Sequence, residues 1–329
     1  MNNEQVKFPP PPRLIPTLLS GFDAVATHIL VIVFPVAFDV FLWLGPHLRL
    51  KQLLQPMINQ MPSLFTPALG ISQADLNTVQ GAWTDFASQF NLFSLLRTYP
   101  IGVSSLLSLK LNTQTPLGSP FYLEANSAAI LFGWWLLLAV AGWLLGGLYY
   151  RWVSGISLRQ PLQPLGASLK QTVFLSIIWM GLLIVIGIPI LILFTVITLI
   201  STTLGQIALF LFALVALWLV MPIFFSAHGI FTLQQDAFHA ILNSLRMVRF
   251  TLPNTGLFLM TFVLISQGLD FLWRTPSASS WLTLVGIAGH AFISTSLLAA
   301  SFIYYRDINV WLKVIFEQLK TQQATSARV

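Results

Sequence analysis

The sequence predicts an all-α fold, a polytopic bundle of six transmembrane helices with both termini cytoplasmic. An extracytoplasmic amphipathic helical loop and a cytoplasmic interfacial helix complete it. Three observations carry this expectation. Of 329 residues, 56% are hydrophobic and 8% charged, against about 25% charged in soluble domains. So little charge does not cover a water-facing surface. Six segments reach the ~20 apolar residues that a crossing helix needs, at 24–45, 127–149, 171–200, 205–225, 254–273 and 281–304. Lys and Arg are also unequally shared between the two sets of loops, which sets orientation. Lys7, Arg13, Arg151, Arg159, Lys170, Arg246, Arg249, Arg306, Lys313, Lys320 and Arg328 fall on one side. Arg49, Lys51, Arg97, Lys110 and Arg274 fall on the other, mostly in one long loop that weighs little in the rule.

Residues 1–23 read as a cytoplasmic tail. Pro9 to Pro12 favour a stiff extended segment. The polar start has no short apolar core followed by a small-residue cleavage site, so it does not read as a signal peptide.

The first span, 24–45, carries an acid inside "LVIVFPVAFDVFLWLGP". Asp39 lies about 9 Å along the axis from Gly45, in the outer third of a helix rising 1.5 Å per residue. His28, Ile32, Pro35, Asp39 and Trp43 share one face, with His28 and Asp39 about 16 Å apart and too distant to pair. An ionisable residue in a span is a candidate functional group. Asp39 and His28 are therefore candidates, the acid as a hydrogen-bonder across the bundle or as a proton or ion relay. In the structural role, Asp39→Asn is expected to keep the fold.

Residues 46–126 form the extracytoplasmic loop. Ser72 and Asp75 have capping-box spacing. Leu76, Val79, Trp83, Phe86, Phe90 and Phe93 then recur every three or four residues as one helical stripe. Such a helix packs on the membrane domain or acts as a lid.

Residues 127–305 form a core of five membrane helices. Gly142 and Gly146 are spaced for close helix packing. Gly187 and Pro189 are expected to kink the 171–200 segment. Asp270 and Arg274, four apart, read as a surface ion pair. His290 sits among Gly286, Gly289, Ser294, Thr295, Ser296 and Ser301, residues that let helices approach and hydrogen-bond. No second His or Glu stands one turn away, so a metal site is not expected there. Between the fourth and fifth spans, 236–250 reads as an interfacial helix. Phe238, Ile241, Leu242, Leu245 and Val248 form its apolar side, and Arg246 and Arg249 are candidate lipid-headgroup contacts. Thr232 and Gln235 have capping-box spacing, and Pro253 is expected to end the helix. A cytoplasmic tail follows over 306–329.

Ala240, Ser244, Arg246 and Arg249, spaced A-x-x-x-S-x-R-x-x-R, with Tyr305 and Asp307 after the last span, carry a resemblance. Over roughly residues 128–310 the chain resembles a bacterial six-helix membrane-domain family. That family occurs as stand-alone proteins and fused to glycerophosphodiester phosphodiesterases. The first helix and long loop depart from the pattern, and no phosphodiesterase barrel is present. The resemblance thus implies a multi-pass envelope protein and transfers no catalytic residue.

There is no cysteine, which excludes disulfides and thiolate chemistry. No hydrolase, zinc-protease, P-loop or dinucleotide motif occurs. The net charge of +6 reads as basic loops on an anionic leaflet rather than a nucleic-acid surface. The expected function is a non-enzymatic scaffold or accessory component of the cytoplasmic membrane. Membrane lipids and a membrane-protein partner or second copy are its expected partners, and no cofactor is expected. The rival is a small-solute or ion transporter using Asp39 and His290, motivated also by the Gly187–Pro189 break.

Overall fold

The computed structural model describes residues 9–69, 73–108 and 114–326. The helices are α1 (Leu14–Thr27), α2 (Val33–Leu44), α3 (Lys51–Leu69), α4 (Gln73–Gln89), α5 (Ala128–Leu158), α6 (Leu165–Leu182), α7 (Ile188–Ile200), α8 (Thr202–Thr232), α9 (Ala237–Trp273) and α10 (Thr283–Ser326). Strands β1 (His47–Arg49) and β2 (Tyr122–Glu124) pair in parallel, with His47 opposite Tyr122. Among the described residues five helices are long and apolar enough to cross a membrane, six if the bent pair at the start counts as one span. The protein is a helical membrane protein. Burial supports this physically: the most apolar stretch of α6–α7 is 0% buried within the protein, against 61% for α10. Rows such as Val185, Leu191 and Phe210 lie bare, which only lipid makes tolerable.

Several boundaries differ from the expectation, each for a local reason. The segment expected as one helix over 24–45 is α1 and α2, bent by 93° across the break at His28. Pro35 lacks the N–H that would bond Val31 and crowds that carbonyl. The chain passes through a 3₁₀ turn, Ile29–Ile32, before the helix restarts. Where a kink is expected at Gly187–Pro189, the helix makes a π-helical turn, Leu183–Gly187. One extra residue per turn accommodates the missing donor, and Leu165–Thr198 continues as a single 34-residue span. The interfacial helix does end just before Pro253: α9 is two helices joined across a kink at the non-helical Thr251 (φ −125°, ψ 20°). α10 continues past residue 305 to Ser326, since no Gly or Pro interrupts 302–326 and helical hydrogen bonding does not stop where hydropathy falls.

The caps also differ. Thr232 and Gln235 do not form a capping box: Thr232 Oγ1 and Gln235 Oε1 have no partner among the described residues. Asp236 caps α9, Oδ1 accepting from the His239 N–H at 3.0 Å. That bond, together with the His239 ring at 2.6 Å, holds the Asp236 carboxyl below its ordinary range. Ser72 lies outside the described residues. Of the stripe that follows, Leu76 and Phe93 are buried while Val79 and Trp83 are exposed, so the stripe is only partly covered.

The chain divides into two compact units. The first comprises Met1–Ile29, Tyr150–Ser266 and Thr295–Val329. Within it, Gly21 of α1 lies against α10 so closely that a Cβ would stand 2.5 Å from the Ala300 nitrogen. Trp311 Nε1 donates to the Pro9 carbonyl at 2.8 Å, tying the proline segment to α10. His228 is fully buried and uses both ring nitrogens, on the Phe224 carbonyl (3.0 Å) and on Ser301 Oγ (2.7 Å). The second unit comprises Leu30–Tyr149 and Gln267–Ser294. Its cores gather Leu42, Leu48, Leu92, Phe93 and Leu138 on one side, and Trp43, Leu106, Leu107 and Ile287 on the other.

Candidate functional site

The polar groups of the second unit meet around a segment without regular structure, residues 97–108. Ile101, Val103, Ser105, Leu106 and Leu107 in it are buried. Irregular backbone buried in an apolar protein is stable only where protein satisfies it, and three elements pack against this segment, one of which bonds its backbone. α5 receives the segment at Gly142 and Gly146: a Cβ at Gly142 would stand 2.5 Å from the Leu96 carbonyl oxygen, and one at Gly146 would stand 2.8 Å from Gly102 Cα. The glycine pair expected to admit a neighbouring helix admits this loop. α10 contributes Ser294, whose hydroxyl lies 2.8 Å from that of Ser104.

α2 contributes Asp39, which is fully buried. Its Oδ1 accepts from Ser105 Oγ at 2.5 Å and from the Leu107 N–H at 3.2 Å. Its Oδ2 accepts from the Leu106 N–H at 2.9 Å. The carboxylate therefore fastens the loop rather than a facing helix. Both oxygens accept and neither is bonded to an acceptor. An amide has one accepting oxygen and a donor NH₂, so asparagine does not reproduce this arrangement, contrary to the expectation from sequence.

His290 and Asp270, twenty residues apart, form a buried pair: Nδ1 lies 2.6 Å from Oδ1. Arg274 is farther from the same carboxylate, at 3.8 Å. Asp270 is thus a partner for a buried imidazole, with the surface pair expected from its four-residue spacing a secondary contact. His290 Nε2 is buried and has no partner among the described residues, and the same holds for Trp273 Nε1. His290 is also within electrostatic reach of Asp39. Among the described residues no group of three or more His, Cys, Asp or Glu is placed to hold a metal ion.

The remaining candidates lie in the first unit. His28 is exposed and its Nδ1 turns back to the Ala24 carbonyl at 3.1 Å. Arg246 and Arg249 are exposed on α9, beside the exposed Phe238, Leu242 and Leu245. The face that α9 buries is instead Ala240, Ser244, Met247 and Val248, with Ser244 Oγ donating to the Pro222 carbonyl at 2.7 Å. No protein-family model, curated protein or solved structure matches the chain. Function therefore has to be argued from this geometry.

Sequence reading missed the Asp39–loop knot and the Asp270–His290 pair for the same reason. Each joins residues remote in sequence, and periodicity reports only neighbours on one element. One signal was present: "GVSSLLS" is a serine-rich apolar run inside the extracytoplasmic loop.

Proposed function

We propose that this is a non-enzymatic membrane protein, a scaffold or accessory component of the cytoplasmic membrane, with six spans and both termini cytoplasmic. The observation that carries the reading is Asp39. This buried acid has both oxygens bonded by one loop, which makes it a fastener. Shared membership in the resembled six-helix family is part of the proposal. Its support is that Ala240 and Ser244 lie on the packed face of α9 and Tyr305 holds Asn243 at 2.8 Å. The exposed apolar and basic face of α9 suits a headgroup layer.

A second reading rests on one specific observation, the unsatisfied Nε2 of the buried His290 beside Asp270. A histidine with a carboxylate on one nitrogen and no partner on the other among the described residues is equipped to pass a proton. The two readings separate in proteoliposomes. Under an imposed pH gradient the protein should carry no proton flux. A flux that disappears in His290→Phe while the protein remains folded would overturn the scaffold. Orientation is tested separately with single cysteines at Thr78 and Lys320, since the chain has none of its own. They should label from opposite sides with Thr78 outside, and labelling from one side would overturn the span count.

A further inference from the structure

We propose that a cavity in the first unit is a binding site for the phosphate group of a monoanionic phosphate or phosphodiester. The cavity has a volume of about 620 Å³ and is walled by α1, the end of α5 and the middle of α10. That size is in the range of small-molecule sites. Three arginines line it, Arg13, Arg159 and Arg306, together with Asp23 and Asp307.

The arginines differ from others nearby in what they bond. Arg151, on the same α5, is spent on structure, donating from Nε and Nη2 to the Gln163 carbonyl at 3.1 and 3.0 Å. The side chains of Arg13 and Arg159 have no hydrogen-bond or ion-pair partner among the described residues. Arg306 gives only its Nε, to Asp307 at 2.8 Å, and its terminal nitrogens are left free among those residues. Guanidinium forks match phosphate oxygens in geometry and charge. Three arginines against two carboxylates leave one positive charge, which suits a singly charged phosphodiester better than a polyphosphate.

The backbone gives an independent reason to single out Arg159. It follows α5 at φ 52°, in the left-handed region, with its N–H returned to the Gly155 carbonyl at 3.2 Å. Helices that end this way ordinarily use glycine. An arginine at that position lines the cavity despite the conformational cost, and strain of this kind concentrates at ligand sites. Ile15 and Leu19 are exposed on another face of α1, which places apolar surface beside the site and makes a phospholipid headgroup one source of the phosphate. Free phosphate is the other. The proposal does not depend on whether the protein is a scaffold or carries protons.

The test uses the full chain in maltoside micelles and phosphate-free buffer, reading the thermal unfolding midpoint. Phosphatidylglycerol, diacylglycerol and inorganic phosphate are titrated separately. Phosphatidylglycerol should raise the midpoint and diacylglycerol, which lacks the phosphate, should not. Protection by inorganic phosphate at equal or lower concentration would support the site and assign it to the free anion. Arg159→Gly, which the backbone accommodates, and Arg13→Gln should each weaken the response about ten-fold, the loss expected for one charge-assisted hydrogen bond. Arg246→Gln, on the exposed face of α9, should leave it unchanged. A wild-type protein stabilised by neither phosphate compound would overturn the proposal. So would an undiminished response in the Arg13→Gln/Arg159→Gly double variant.

Discussion

The knot around Asp39 and the cavity around Arg159 are opposite solutions to charge in an apolar protein. At Asp39 three donors converge on one carboxylate and both its oxygens are used. At the cavity Arg13 and Arg159 are exposed and their side chains have no hydrogen-bond or ion-pair partner among the described residues, and Arg306 gives only its Nε. A satisfied buried group fixes a conformation, whereas an exposed guanidinium keeps its hydration until an anion replaces the water. The balance of donors and acceptors, more than the presence of charge, therefore separates a group that holds the fold from one that awaits a ligand. Substitutions should follow the same division, costing stability at the knot and binding at the cavity.

The largest effect is expected at Asp39. Asp39→Asn turns an amide NH₂ toward donors that now lack an acceptor. A hydrogen bond to a charged group is lost and a buried N–H is orphaned, about 3 kcal/mol together. Thermal or denaturant unfolding should show that loss, and amide exchange should accelerate over 101–108. If the Asn variant is as stable as wild type with unchanged exchange, Asp39 does not hold the loop and the contrast with the cavity fails.

Gly146 probes the same loop from the other side. A Cβ there would stand 2.8–3.0 Å from the backbone of Gly102 and Ile101, atoms that do not rotate away. Gly146→Ala should cost about 2 kcal/mol by overpacking, with the exchange change again confined to the loop. Gly187→Ala has open space around it and serves as the control.

These two sites also show what the sequence made legible. Apolar run length identified the segments of α5, α6–α7, α8, α9 and α10, because burial in lipid is written locally in every residue of a span. The small residues at Gly142 and Gly146 announced a close approach without saying by what, since a loop and a helix demand the same absence of Cβ. Asp39 announced a need for donors, but those donors are backbone N–H groups, which every sequence has everywhere. Asp270 and His290 were each visible and their pairing was not. The cavity was least legible: Arg13, Arg159 and Arg306 served only as counts in the orientation rule, and the left-handed backbone of Arg159 has no signature in its neighbours.

Arg159→Gly should have the opposite sign to the changes at Asp39 and Gly146. With no ligand present, glycine relieves the left-handed conformation and the mutual repulsion of the arginines. The gain is about 1 kcal/mol from the backbone alone. A loss of stability instead would mean that the guanidinium is already satisfied, and would move Arg159 to the structural side of the comparison.

The smallest effect is a pH dependence at His47, which tests the satisfied side with a proton rather than a mutation. His47 is buried in β1, with Nε2 3.2 Å from the Leu42 carbonyl and Arg49 two residues away. Burial, and then the Arg49 charge, lower its pKa from the ordinary 6.5, while the Leu42 carbonyl works in the other direction. The unfolded chain therefore binds a proton at His47 more tightly than the folded protein does. The contribution of the neutral ring is complete above 6.5 and is lost as pH falls below that value toward the depressed folded pKa. His47→Gln keeps a donor for the Leu42 carbonyl and removes the titration. Subtracting the unfolding profile of this variant from that of wild type cancels every other titrating group. The difference should be flat above the ordinary pKa and turn against wild type below it. A difference that is flat throughout would show that the ring accepts its second proton without cost. The rule that satisfied groups resist a change of charge would then fail at the first strand.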